Sequence, residues 1–138
     1  MPTMRPLRFA RRWVALWLVA IACAVAVSLL PASEVPTPSI PGFDKALHFT
    51  SYLALSTYAS MLFASPRARS LAALLLLAVG LGVEAAQHYL TATRQAEAAD
   101  VFANMLGVVG GLVLGATPLA RGLQWLESRL PGAAPRTL

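Results

Sequence analysis

Apolar positions along the chain fall into four long runs, at residues 13–30, 46–64, 71–90 and 101–120. Each holds about the 20 mostly apolar residues that a helix, rising about 1.5 Å per residue, needs to cross a hydrocarbon core about 30 Å thick. Turn signals separate them: Pro31, Pro36, Pro38 and Pro41 after the first run, Pro66 after the second, and a Thr/Arg/Glu stretch after the third. Backbone groups in lipid must be satisfied within their own segment, so the runs predict helices. The expected fold is all-α, one integral membrane four-helix bundle over residues 1–138. Beyond the fourth run, Leu119, Leu123, Leu126 and Leu130 share one helical face, with Arg121, Gln124, Glu127 and Arg129 elsewhere. That pattern predicts a short C-terminal amphipathic helix on the membrane surface, or a frayed continuation of the fourth run.

Composition agrees with this reading. Of 138 residues, 57% are hydrophobic and only 12% charged, against about 25% charged in soluble domains, and the mean hydropathy is +0.64. A net charge of +5 would suit nucleic acid if the basic residues formed one patch. They instead form short clusters between apolar runs, which excludes nucleic acid as the expected partner. Cys23 is the only cysteine, so no intrachain disulfide or cysteine-rich metal site can form.

The clusters set an orientation. Arg5, Arg8, Arg11 and Arg12 precede the first run, Arg67 and Arg69 lie between the second and third, and Arg121, Arg129 and Arg136 follow the fourth. Nine of the eleven Lys and Arg residues therefore share one side. By the positive-inside rule that side is cytoplasmic, with both termini there, in a multi-pass protein of the bacterial inner membrane. Trp13, Trp17 and Trp125 also fall at this border, where amphipathic indoles prefer to sit. The length of the first run, and the lack of a small-x-small site before Pro31, favour its retention over cleavage as a signal peptide.

The remaining ionisable residues gather near the opposite, outer face. Asp44, His48 and Tyr52 form an i, i+4, i+8 column at the start of the second run, beside Lys45. Glu84, Gln87 and His88 share a face at the end of the third, with Gly80 one turn deeper. Arg94 and Glu97 lie in the loop, and Asp100 and Asn104 open the fourth run. Gly107, Gly111 and Gly115 continue the Asp100/Asn104 face as a small-residue ladder for close helix packing, which leaves a homo-oligomer through that face open.

Most of these residues have a structural explanation when taken singly. Asp44 and Asp100 stand where a helix N-cap belongs, Lys45 can snorkel to the interface, and either histidine alone could be a hydrogen-bonded packing residue. Glu84 is harder to dismiss. It lies six residues before the end of its run, about 9 Å down the helix, where a carboxylate costs about 3 kcal/mol or more by insertion scales. Its structural alternative is an ion pair with Arg94 or Lys45. Asp44, Glu84, Glu97 and Asp100 face two cations, Lys45 and Arg94, so two negative charges are left over. Protonated His48, protonated Glu84 or a bound cation could balance them. Glu84, Asp100 and His48 have donors suited to a divalent ion, but without a ligand pair of the HExxH kind no metal is expected. Nothing in the chain specifies a cofactor.

Read in order, these residues resemble the VanZ-like family of small bacterial membrane proteins. The match runs through Asp44, Lys45, His48 and Tyr52 as D-K-x-x-H-x-x-x-Y, then Glu84 and Gln87 as E-x-x-Q, then Arg94. It ends with Asp100, Asn104 and Gly107 as D-x-x-x-N-x-x-G, with Gly110 and Gly111 behind, so it covers about residues 44 to 115. The chain departs from the pattern at Thr91, Ala92 and Thr93, where proline or glycine is expected, and His88 is not part of it. The family is named for a protein linked to teicoplanin resistance, so the resemblance implies a role in the cell envelope without naming a reaction.

Three functions are compatible with this reading. In the first, the protein binds or processes a membrane lipid or lipid-linked envelope precursor at the outer leaflet. Lys45 and Arg94 would hold an anionic headgroup, Gln87 and Asn104 would orient it, and Glu84, His48, Asp44 and Asp100 would handle protons if the site is catalytic. In the second, the cluster is a satisfied structural network and the protein is a membrane scaffold or partner. A transporter is less well supported, because no inverted repeat is visible and the polarity stays on one side. The topology makes a direct prediction. In a Cys23-free background, a cysteine at residue 37 should react with an impermeant thiol reagent from outside, and one at residue 68 only from inside. The reverse pattern would overturn the assigned orientation.

Overall fold

A computed structural model describes residues 3–31, 38, 40–90 and 97–131, the side chain of residue 90 excepted. The described chain is all-helical: α1 (Ala10–Leu29), α2 (Phe43–Leu62), α3 (Pro66–Leu90), α4 (Ala98–Leu114) and, after a 3-10 turn at Pro118–Arg121, the short α5 (Gly122–Arg129). The only extended pairing among these residues is an isolated bridge between Met4 and Phe63.

The breaks follow local backbone chemistry. α1 stops at Leu29 because Leu30, which precedes Pro31, takes an extended conformation (ψ 147°). α2 begins after Gly42, whose left-handed φ of 77° turns the chain into the helix. Ser65 starts α3 by accepting the Ala68 N–H at 3.2 Å, with Pro66 in the first helical position. The fourth run was expected to extend to residue 120, but its helix ends at Leu114. Thr117 and Pro118 then divert the chain, with the Thr117 hydroxyl accepting the Leu119 N–H, and the segment Pro118–Arg129 lies at 77° to α4.

Two helices, α1 and α3, are long and apolar enough to cross a membrane, and a third qualifies if α4 and its bent continuation form one span. α2 has the length but carries Asp44, Lys45, His48 and a series of serines and threonines, which lower its hydropathy. Large apolar side chains such as Leu16, Val19, Leu71, Leu74, Phe102 and Leu106 cover the exterior. An outer surface of this kind suits lipid better than water.

Helix packing centres on the pair α2 and α4. Gly107, Gly111 and Gly115 lie against α2 so closely that a Cβ on Gly107 would overlap the Phe49 carbonyl oxygen. One on Gly111 would overlap Ser56, and one on Gly115 would overlap Ser60. The glycine ladder is therefore buried within the chain, and α2 occupies the face that could otherwise have joined a second copy. Ser56 adds a hydrogen bond across this seam, donating to the Val108 carbonyl at 2.8 Å. α1 is tied on by Trp17, whose indole N–H donates to the Leu55 carbonyl at 2.9 Å. Trp17 is thus a buried packing residue, its indole turned toward α2. Trp125 is exposed on α5, beneath the Arg129 guanidinium.

The basic clusters meet at one end. Arg5 pairs through its backbone with Leu62 and donates through Nε to the Ser60 carbonyl at 3.1 Å, and Arg69 donates to the Phe63, Ala64 and Gly115 carbonyls. Burial and the neighbouring Arg69 and Arg121 lower the Arg5 pKa from its ordinary value. α5 docks at the same end, but with a different face than the leucine pattern predicts. Ala120, Leu123 and Glu127 are buried, whereas Leu119, Leu126 and Leu130 are exposed. The reason is polar: the Glu127 carboxylate accepts the backbone N–H groups of Arg8 and Phe9 at 2.6 and 2.8 Å and the Trp13 indole at 2.8 Å. It thereby supplies acceptors at the N-terminal end of α1, where helical N–H groups have no partner within their own helix.

The α2–α4 seam gives a clear stability contrast. Gly111→Val should lower the thermal midpoint in detergent by the equivalent of about 1–3 kcal/mol or more, since overpacking a closed seam forces the helices apart. Gly82→Ala, at a helical site with nothing within 4 Å of the added Cβ, should be neutral or stabilising by up to about 1 kcal/mol. Equal melting of the two variants would show that the seam is not closed.

Candidate functional site

The opposite end of the helices collects the polar residues. The left-handed Gly42 sets the register of α2 so that Asp44 and Lys45 lie in its first turn and His48 one turn later. Glu97 is the N-cap residue of α4, which puts Asp100 in the first turn and Asn104 one turn deeper. The N-cap positions are thus Gly42 and Glu97, and neither aspartate occupies one. Both still benefit from the positive end of the helix dipole.

At the mouth of the cluster, ahead of the apolar stretch of α2, Lys45 gathers three carboxylates. Its Nζ lies 2.7 Å from Asp44 Oδ2, 2.8 Å from Glu97 Oε2 and 3.6 Å from Asp100 Oδ1. Hydrogen bonds to Asp44 and Glu97 raise the Lys45 pKa above its usual range, and the hydrogen bond from Lys45 holds Asp44 below the usual carboxylate range. The pairs with Asp44 and Glu97 are half-exposed, so they are screened and contribute modestly.

Deeper in, three helices converge. Glu84 of α3 is only 5% exposed, Asp100 6% and Asn104 2%. His48 Nδ1 and Asn104 Oδ1 are 3.1 Å apart, and since the amide oxygen can only accept, the ring nitrogen donates. Glu84 Oε2 accepts the Glu97 backbone N–H at 3.2 Å, whereas its Oε1 has no hydrogen-bond partner among the described residues. Asn104 Nδ2 is likewise without one. A ligand atom from each of His48, Glu84 and Asp100 lies within 4.8 Å of the other two. The anticipated ion pair between Glu84 and Lys45 does not form, because Lys45 is engaged at the mouth. Arg94, the other candidate partner, falls outside the described residues.

Gly80 shapes the floor. A Cβ there would stand 3.1 Å from Asn104 Nδ2 and 3.2 Å from the Tyr52 hydroxyl, so the absence of a side chain admits both groups. Beside it, an open groove of about 110 Å³ runs between α3 and α4, lined by Leu77, Gly80, Leu81, Val101, Asn104 and Met105. Asn104 is the one polar side chain in that lining and also a member of the polar cluster.

The other expected members divide. Gln87 reaches toward α1, where its Nε2 donates to the Ser28 carbonyl at 2.9 Å. His88 is exposed, its ring edge-on to Tyr89 at 4.7 Å, and stands apart from the face formed by Glu84 and Gln87. Two contributors were undervalued by sequence reasoning. Glu97 serves the cluster twice, through its carboxylate on Lys45 and its backbone N–H on Glu84. Its position three residues ahead of Asp100, where the apolar run of α4 begins, was the available signal. Tyr52 was part of the column but had no role assigned to it.

Lys45 generates the pH prediction. Asp44, with its pKa depressed in the fold, contributes stability above the unfolded carboxylate value of about 3.9 and loses it as pH falls through the folded value. Lys45, with its pKa raised, contributes below the unfolded lysine value of about 10.4 and loses it as pH rises further. Lys45→Met should therefore melt below wild type between these limits, by the equivalent of at most about 1 kcal/mol per exposed pair. The deficit should shrink as pH falls below the unfolded carboxylate value of about 3.9 toward the lower folded value of Asp44, and shrink in high salt, and a pH-independent deficit would refute the electrostatic account. No family model matches this chain, and no curated protein or solved structure matches it.

Proposed function

We propose that the chain is a VanZ-like protein of the bacterial inner membrane, a four-helix bundle with cytoplasmic termini that binds or processes an envelope lipid or lipid-linked precursor at its outer face. The observation that carries this reading is the position of Asn104. Asn104 is hydrogen-bonded to His48, in the buried group with Glu84 and Asp100, and is also one of the residues lining the apolar groove between α3 and α4. An amphiphile needs that combination, a polar recognition site continuous with a hydrocarbon-lined path. Lys45 at the mouth, and Arg94 as the second cation of the sequence pattern, would supply positive charge for a phosphate or other anionic headgroup. Glu84, Asp100, His48 and Asp44 are the groups able to exchange protons with it. The pattern of residues in the resemblance, from Asp44 to Gly111, supports the same assignment. The segregation of the arginine clusters to the other end of the helices supports the orientation.

The structural alternative has one specific observation in its favour. His48–Asn104, Ser56–Val108 and Gln87–Ser28 are hydrogen bonds between different helices, as a locking network would have. A network kept only for packing would leave fewer buried polar atoms unsatisfied than Glu84 Oε1 and Asn104 Nδ2.

Mass spectrometry of lipids copurified with the detergent-solubilised protein separates the two. A specific anionic lipid or lipid-linked precursor should accompany wild type and be depleted severalfold in Arg94→Ala and Lys45→Ala. Glu84→Gln and His48→Gln should retain wild-type melting while losing the envelope phenotype. A lipid profile indifferent to Arg94 and Lys45 would refute the headgroup assignment, and loss of folding in both Glu84→Gln and His48→Gln would favour the scaffold.

A further inference from the structure

We propose that His48, Glu84 and Asp100 form a binding site for a divalent transition-metal cation of the Zn²⁺ type. One ligand atom from each residue lies within 4.8 Å of the other two, and they come from three different helices, α2, α3 and α4. Both carboxylates are more than nine-tenths buried, and Glu84 Oε1 lacks a hydrogen-bond partner among the described residues. Two carboxylates held this close and this deep repel each other, and a shared proton or a shared cation relieves that repulsion. Lys45 is the only lysine or arginine among the described residues of the cluster. It is committed elsewhere, 2.7 and 2.8 Å from Asp44 and Glu97 but 3.6 Å from Asp100.

The surroundings of His48 agree with a metal ligand. Asn104 Oδ1 accepts from Nδ1, so in the neutral ring the remaining lone pair, the one a cation would take, is on Nε2. A neutral acceptor behind a ligating imidazole is the usual second support of such sites. An imidazole with two carboxylates favours Zn²⁺ over Mg²⁺ or Ca²⁺, which prefer oxygen alone. Donor atoms around a tetrahedral Zn²⁺ lie about 3.4 Å apart, so the three side chains draw inward as the ion enters. Three protein ligands leave a position for water or an anionic oxygen. The second acidic group, Asp44, Glu97 and Asp100, also lies within 4.8 Å, but the Lys45 ammonium already fills it.

The test uses the full-length protein in detergent, stripped with EDTA, gel-filtered and titrated with Zn²⁺ alone. Calorimetry and elemental analysis should give one Zn²⁺ per chain, and the thermal midpoint should rise with Zn²⁺. His48→Gln and Glu84→Gln should each weaken binding at least tenfold, and Asn104→Ala about 10–100-fold through loss of support to the ring. Glu84→Gln should melt at or above wild type in EDTA, since it removes a buried charge, yet gain nothing from Zn²⁺. The proposal is overturned if stripped wild type takes up no Zn²⁺, or if His48→Gln and Glu84→Gln bind it as wild type does. It also falls if Mg²⁺ binds equally well irrespective of His48, or if Glu97→Gln abolishes binding while Glu84→Gln does not, which would put the ion at the exposed acidic group. No lipid enters the titration, so its failure would leave the headgroup reading intact, and failure of lipid copurification would leave this site intact.

Discussion

Contact between the backbones of α2 and α4 is the constraint from which the rest of the site follows. Close backbone approach and hydrogen bonds between the helices hold this pair together. Gly107, Gly111 and Gly115 remove side chains from one face of α4, and Ser56 and Ser60 present small ones from α2. The result is a seam in which a hydroxyl can reach a helix carbonyl. Following the same two faces toward the polar end, the next pair in register is His48 and Asn104. Their hydrogen bond is a consequence of the glycines below it as much as of their own chemistry.

α3 completes the cluster because Gly80 leaves room for Asn104 and Tyr52 to approach it. That approach carries Glu84 to the depth of Asp100. The cost of a carboxylate so placed is only partly offset by one backbone N–H from Glu97. A mouth rich in ion pairs thus stands above a floor that is short of them. Lys45 neutralises the exposed carboxylates, while the buried ones have acceptor capacity left over. Both proposals draw on this imbalance, one toward an anionic amphiphile held near Lys45, the other toward a cation between Glu84, Asp100 and His48.

The two ends of the molecule solve similar electrostatic problems in opposite ways. At the basic end, guanidinium groups of Arg5 and Arg69 donate to helix C-terminal carbonyls, where positive charge is favoured. Glu127 meets the N-terminal end of α1, where negative charge is favoured, and so is buried on a helix whose leucines remain outside. At the polar end, the first turns of α2 and α4 carry Asp44 and Asp100 with the same dipole logic. The difference lies in depth: the basic end satisfies its charges at the border, whereas Glu84 carries one into the helix interior.

The sequence by itself determined the helices, because run length, proline and glycine positions act locally and need no partner. It also determined that the basic residues cluster near one set of helix ends and the polar residues near the other, since helical rise fixes each residue's depth. Periodicity could place Gly107, Gly111 and Gly115 on one face, and Glu84 with Gln87 on another. What those faces meet was decided by tertiary structure. Trp17 packs in the core because the Leu55 carbonyl lies within its reach, Lys45 pairs with Glu97 and not Glu84, and Glu127 turned inward to serve a helix more than a hundred residues earlier. Each of these outcomes depends on a hydrogen-bond partner remote in sequence, and a helical pattern carries no information about which remote group will lie opposite it.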